Sequence, residues 1–186
     1  MKEIVEMKIQ ELMNELFAWC ADSEPHDYSN TCDTMKIGNP EREVHKVATS
    51  MFATPALIRE VHKWGAELLI VHEPTFYDHF DKKLVNDPVT TAKEQLLKDT
   101  GLTIWRFHDH PHAKYTDMIY EGEIKYLELT GKLIKKERYG VNHFRLDTPM
   151  TARELAKRFE EKIHAAHVRI CGAADVPCQN LSLSFG

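Results

Sequence analysis

Two short segments of the chain gather the side chains best suited to holding a metal ion. One is His72-Glu73-Pro74, and the other is His108-Asp109-His110-Pro111-His112. Imidazole nitrogen together with carboxylate oxygen suits Zn, Fe, Mn, Co or Ni better than Mg or Ca. No cysteine stands in either segment, which argues against a closed structural zinc site of the thiolate kind. Each segment directly follows an apolar run, Glu67-Leu-Leu-Ile-Val71 in the first case and Leu102 to Phe107 in the second. Such runs read as strands covered on both faces. Ligands of open α/β sheets bind beyond the carboxyl ends of the strands. If the two strands are parallel neighbours, their ends lie about 5–10 Å apart. The side chains of His72 and Glu73 and those of His108, Asp109, His110 and His112 can then meet around one ion or two. Pro74 and Pro111 stop the strands and stiffen the turns. The competing reading is a solvated histidine-rich loop with no ligand role. Surface exposure or a satisfied core position is the expectation for the scattered His26, His45, His62, His79, His143, His164 and His167, of which His79 lies closest to the first segment.

The elements around these segments alternate. Val5, Ile9, Leu12, Met13, Leu16 and Phe17 have helical spacing, which predicts an amphipathic helix from Glu3 to Cys20. Ala21 to Pro40 is rich in Asp, Ser, Asn and Gly and reads as a loop. Val44 to Phe52 reads as a strand. Thr54 and Pro55 then offer an N-cap and a first helical position, and Gly65 a stop. Asp87, Pro88 and Gly101 repeat the pattern ahead of the second apolar run. A further helix is expected from Asp117 to Thr130, closed by Gly131. Strand–helix alternation predicts an α/β fold: a layered sheet with helices on its faces and largely parallel central strands.

The remainder is thinner. Lys132 to Leu146 reads as two strands about Gly140, Thr151-Ala-Arg-Glu154 as a capping box opening a helix through Ile163, and His167–Cys171 and Leu181–Phe185 as short strands. The expected division is 1–131 as a first domain carrying the ligand clusters and 132–186 as a partial second α/β segment. Trp64, Trp105 and Phe107 fall at positions expected to pack in the core. The chain stops inside the last expected strand, as a fragment of a longer protein would.

Composition narrows the function classes. With 24 basic and 29 acidic residues and a net charge of −5, a nucleic-acid binder running on basic charge is not expected. No apolar run reaches the 18–20 or so residues of a membrane span, and the charged N-terminus is no signal peptide. The four cysteines form no C-x-x-C pair and read as reduced thiols of a cytoplasmic protein.

Taken together, Gly38-Asn-Pro-Glu-Arg-Glu-Val-His-Lys-Val47, Ala53-Thr-Pro, and Gly65-Ala-Glu-Leu-Leu-Ile-Val-His-Glu-Pro74 resemble the NIF-three-like family. That family shows patterns like G-D-P-E-x-E-V, A-T-P and G-A-D-L-L-I-x-H-H-P, then an H-x-x-x-D segment after the next strand. His72 matches the first histidine of H-H-P, and Glu73 stands where the second usually stands. His108 matches the histidine of H-x-x-x-D, and His112 stands where its aspartate does. The likeness covers about residues 30 to 131 and looks like a divergent branch. It implies a two-part α/β fold, a dinuclear metal site, and a homo-oligomeric ring, a hexamer, with sites facing an internal cavity. It also implies a hydrolase related to the label GTP cyclohydrolase 1 type 2 homolog, acting on an unnamed small molecule. The family's last ligands, a histidine and a glutamate four residues on, have no counterpart before Gly186. Either the chain is a fragment with an incomplete site, or two-metal binding is in question. Three functions stay open: a metal-dependent hydrolase with His72, His108 and His112 as ligands, Glu73 as bridging carboxylate, and Asp109 or His110 orienting a ligand or moving protons; a non-catalytic metal-binding scaffold or regulatory protein; and a plain domain with incidental histidines.

Overall fold

The computed structural model describes residues 7–21, 27–114, 117–136 and 141–184. The chain divides into two compact units, Met1–Pro111 and His112–Gly186.

The first unit runs α1 (Ile9–Cys20), β1 (Met35–Ile37), β2 (Val47–Ser50), α2 (Pro55–Trp64), β3 (Leu68–Val71), α3 (Pro88–Thr100), β4 (Thr103–Arg106) and the start of α4 (Asp109–Ala113). Its sheet has the order β1-β4-β3-β2, with β2, β3 and β4 parallel and β1 antiparallel at the edge. Local chemistry sets the helix limits. Thr54 Oγ1 accepts the Leu57 N–H at 3.2 Å, and Asp87 Oδ2 accepts the Thr90 N–H at 2.6 Å, each just ahead of a proline. Both faces of the central strands are covered. Leu69, Val71 and Ile104 pack with Ile58, Val61 and Leu97 of α2 and α3, while Leu68 and Trp105 pack with Ile9 and Met13 of α1. That two-sided burial is why β3 and β4 read as unbroken apolar runs.

The second unit runs α5 (Met118–Tyr126), β5 (Gly131–Lys136), β6 (Val141–Thr151), α6 (Ala152–Ile163) and β7 (Pro177–Ser184), with an antiparallel β5-β6-β7 sheet. Thr151 and Glu154 form the expected capping box. Tyr120 and Leu127 pack with Phe144, Leu146, Leu155 and Phe159, so α5 belongs with this sheet. For that reason the division falls at Pro111 rather than after residue 131.

Several local expectations are revised. Met35–Ile37, in the expected loop, pairs with β4 as an edge strand, because backbone pairing needs no apolar pattern. Gly131 opens β5 rather than closing a helix; α5 ends at Leu127 in helical geometry. Residues 167–171 form no strand, and the third strand is β7 instead. Trp64 is 55% exposed at the last turn of α2, with Lys46 Nζ 5.3 Å above its ring. The first residues of the expected N-terminal helix, Gly140, His26 and Phe185 lie outside the described residues. No described helix is long and apolar enough to cross a membrane.

Candidate metal centre

The parallel register of β3 and β4 pairs Val71 with Arg106, so the two strands end side by side. The chain leaves β3 into His72 and leaves β4 through Phe107, whose N–H donates to the Val71 carbonyl at 2.9 Å, into His108. The His72 and His108 rings face each other with centroids 4.3 Å apart. α4 begins at Asp109 and carries His112 on its last turn. The division between the units falls inside this helix, so the helix backbone itself ties His112 to His108. One nitrogen from each of His72, His108 and His112 lies within 4.8 Å of the others. Three of the four expected ligands therefore converge.

Glu73 does not join them among the described donor groups. The carboxylate that does reach the cluster is Asp109. Its Oδ1 lies 2.9 Å from His108 Nδ1, and its Oδ2 accepts from Thr31 Oγ1 at 2.8 Å and from the Cys32 N–H at 2.9 Å. Burial pushes the Asp109 carboxyl up. The bonds from Cys32, His108 and Thr31 outweigh that and hold it well below the usual carboxylate range. Asp117 does the same for His112, with Oδ2 2.7 Å from Nδ1, and its carboxyl is also held low: desolvation raises it, and the bond and charge of His112 lower it further.

These pairs decide tautomers. A carboxylate only accepts, so each facing Nδ1 carries the proton and Nε2 keeps its lone pair for an ion. Three imidazoles, two backed by carboxylates, form the donor chemistry that transition metals take. The residues therefore fit such an ion.

His110, expected as an orienting group, is turned away. Its ring stacks on Tyr28 at 3.7 Å and lies 4.3 Å from Phe17, and its Nδ1 is 2.6 Å from the buried Asp33 Oδ2. The same Asp33 carboxylate accepts the N–H groups of His108, Asp109 and His110. Arg106, fully buried at the end of β4, donates from Nε to the His72 carbonyl at 2.9 Å and from Nη1 to that of His79. Asp81 Oδ2 joins this anchor 3.9 Å from Arg106 Nη1, and it also lies 3.1 Å from Lys36 Nζ. Cys32 is a third arrival. Its Sγ lies 3.4 Å from Asp109 Oδ1, and burial pushes the thiol up to about 12. A cysteine does accompany the ligands, contrary to expectation. Asp33, Cys32 and Thr31 carried no signal in sequence; for Arg106 the hint was its place as the ionisable residue that closes a buried strand.

Residues 7–186 match the family described as Duf34/NIF3 (NGG1p interacting factor 3). No curated protein matches the chain. Among solved structures, it is similar to Staphylococcus aureus hypothetical protein SA1388 at 16% identity and TM-score 0.76, covering 97% of this chain and 72% of that one. It is also similar to protein ybgI, of unknown function, at 21% identity and TM-score 0.64, covering 85% of this chain and 61% of that one. Reduced HcgD from Methanocaldococcus jannaschii matches at 15% identity and TM-score 0.61, covering 86% and 61%. The chain thus spans about three fifths of the length of ybgI and HcgD. These likenesses establish a shared fold.

Proposed function

Since the chain belongs to the Duf34/NIF3 family, we propose that it is a metal-dependent hydrolase whose ion is held by His72, His108 and His112. The observation that carries this reading is the convergence of the three imidazoles, with Asp109 and Asp117 fixing the tautomers of two of them. When bound, a transition-metal ion supplies the Lewis acidity that makes water a usable nucleophile at neutral pH.

The chain's own groups perform the positioning. Arg106 clamps the His72 and His79 carbonyls, which holds the turn after β3 against the end of β4. Asp33 holds the first turn of α4. Together they set imidazole directions before any ion arrives, so little ordering entropy remains to be lost on binding. Glu73 is not needed as a ligand in this reading.

The finer reading takes two ions per chain and a phosphoester or a purine-ring substrate of the GTP cyclohydrolase type. It also takes a homo-oligomeric, hexameric ring in the cytoplasm. The family likeness supports these points. Elemental analysis of protein purified without a histidine tag, followed by a phosphoesterase and GTP screen with Mn, Co and Zn, tests them. Turnover should vanish in His72→Ala and His108→Ala while the fold persists. A bound metal without turnover on any of these substrates would favour a second reading, a non-catalytic metal-binding scaffold. The family's description as an interacting factor supports that reading.

A further inference from the structure

The loop after β3 carries two phenylalanines to opposite fates. Phe76 packs against the core around Ile58, Leu69 and Leu97, whereas Phe80 is 58% exposed. A single exposed apolar side chain is ordinary. This one is held out by the tight turn that carries it. Asp78 and Asp81 take left-handed φ values of 55° and 58°. Asp78 Oδ1 accepts the Phe80 N–H at 2.9 Å, Asp81 Oδ1 accepts the Phe76 N–H at 2.7 Å, and the buried Arg106 donates to the His79 carbonyl. Tyr77 and Lys82 pair across the turn as a β-bridge. Left-handed backbone at two non-glycine positions of one turn is uncommon, and it persists where surrounding bonds over-determine it.

What the turn presents is a series of rings that ends at the triad. Phe80 stands edge-on to His79, with centroids 5.0 Å apart and planes at 86°. His79 stands edge-on to His108 at 5.3 Å and 81°, and His108 faces His72 at 4.3 Å. Phe80 is therefore one imidazole away from a candidate ligand. His79 belongs to neither group of converging donor atoms, and its half-exposed ring fills the space between Phe80 and His108. Arg106 donates to the carbonyls of both His72 and His79. The same buried guanidinium thus fixes the position of the exposed ring relative to the triad. An ion attracts the charged end of a substrate and is indifferent to the organic part. The flat apolar face of Phe80 supplies what the ion lacks.

Resting on the reading that the triad serves hydrolysis, we propose that Phe80, braced by His79, is a specificity-determining residue of the site and that the substrate is the phosphoester of a planar aromatic ring. The phosphoryl group lies toward the triad and the ring lies against Phe80. Two aromatic rings in contact exclude water and settle offset or edge-to-face, where their quadrupoles attract. A saturated ring of similar size excludes as much water but has no quadrupole to match. That difference is worth about three- to tenfold in affinity. A short aliphatic ester reaches the triad without touching Phe80 and gains nothing from the loop.

Calorimetry on the zinc-loaded, untagged chain tests this with probes that do not turn over: methylphosphonate, cyclohexylphosphonate and phenylphosphonate. Phenylphosphonate should bind about three- to tenfold more tightly than either of the others. Phe80→Ala should erase that preference, and Phe80→Tyr, which keeps a ring, should retain it. Trp64→Ala, which removes another exposed aromatic side chain, should leave it unchanged. Equal affinity for the phenyl and cyclohexyl probes, or a preference that survives Phe80→Ala, overturns the proposal. So does a zinc-loaded chain that binds none of the probes. In each of these cases the measured zinc content leaves the triad reading standing, whereas a chain that holds no zinc overturns both. If Phe80 instead seats a second copy of the chain, Phe80→Ala lowers the mass seen by light scattering and leaves the phosphonate affinities as they were, which also overturns the proposal. The comparison of phenyl with cyclohexyl needs no variant, so a misfolded Phe80→Ala does not shield it.

Discussion

Asp33 Oδ2 lies 2.6 Å from Nδ1 of His110, and the same carboxylate accepts the backbone N–H groups of His108, Asp109 and His110 at 2.6, 2.8 and 2.8 Å. One buried acid therefore both caps the turn that presents the imidazoles and pins the imidazole that is not among them. Asp33→Ala leaves these donors without an acceptor and should cost about 2–4 kcal/mol in urea unfolding. Asp33→Asn, which keeps an accepting oxygen, should cost less. A loss below about 1 kcal/mol for the alanine variant would mean the turn is held by something else.

Asp117→Asn separates metal orientation from helix capping. Asp117 Oδ1 caps α5 by accepting the Ile119 and Tyr120 N–H groups, while Oδ2 faces His112. Asparagine caps as well as aspartate, but its amide N–H₂ would donate to His112 Nδ1. That drives the imidazole proton onto Nε2, the metal side. The expected result is a 10–100-fold weaker affinity for zinc or cobalt by calorimetry, with thermal stability nearly unchanged. Equal loss of both would refute the separation.

Glu67 links pH to stability away from the metal cluster. Its Oε2 accepts the His45 and Lys46 N–H groups at 3.0 and 2.8 Å, tying the segment before β2 to β3. Desolvation pushes its carboxyl up. The Lys46 and His45 backbone bonds pull it down further, so its folded pKa lies below the ordinary 4.5. A depressed folded value means the contribution is complete above the unfolded pKa and is lost as pH falls through the folded one. Glu67→Gln should therefore cost less than about 1 kcal/mol at pH 7, because the group is screened by solvent. The gap to the unmutated protein should close progressively below pH 4.5. A gap that is constant down to acid unfolding would contradict this.

Gly38 sits at φ +116°, and a Cβ there would come within 2.7 Å of the Thr103 Cα in β4. The neighbour is backbone and cannot swing aside. Gly38→Ala combines left-handed strain with overpacking and should lower stability by about 2–4 kcal/mol. Thermal unfolding would show it, with β1 expected to detach from β4 first by hydrogen exchange.

The parallel β/α core, the helix limits at Thr54, Asp87 and Thr151, and the placing of His72 and His108 just past strand ends were all legible in the chain, whereas the short helix that carries His112 was not. Each legible feature is a short-range or periodic signal: two-sided burial writes an apolar run, a cap must be a hydroxyl or carboxylate beside its helix, and parallel neighbours bring their carboxyl ends together. Only the tertiary structure decided which carboxylate serves the histidines. Glu73 adjoins His72 in the chain yet is not in its donor group, and Asp109 serves because Thr31 and Cys32, far from it in sequence, hold its other oxygen. The buried Asp33, Arg106 and Cys32 were equally hidden, since a polar residue in a loop or at a strand end looks solvated until the fold puts a partner against it. Hydrogen bonds between distant segments leave no periodicity in the chain, and here they are what aims the ligands.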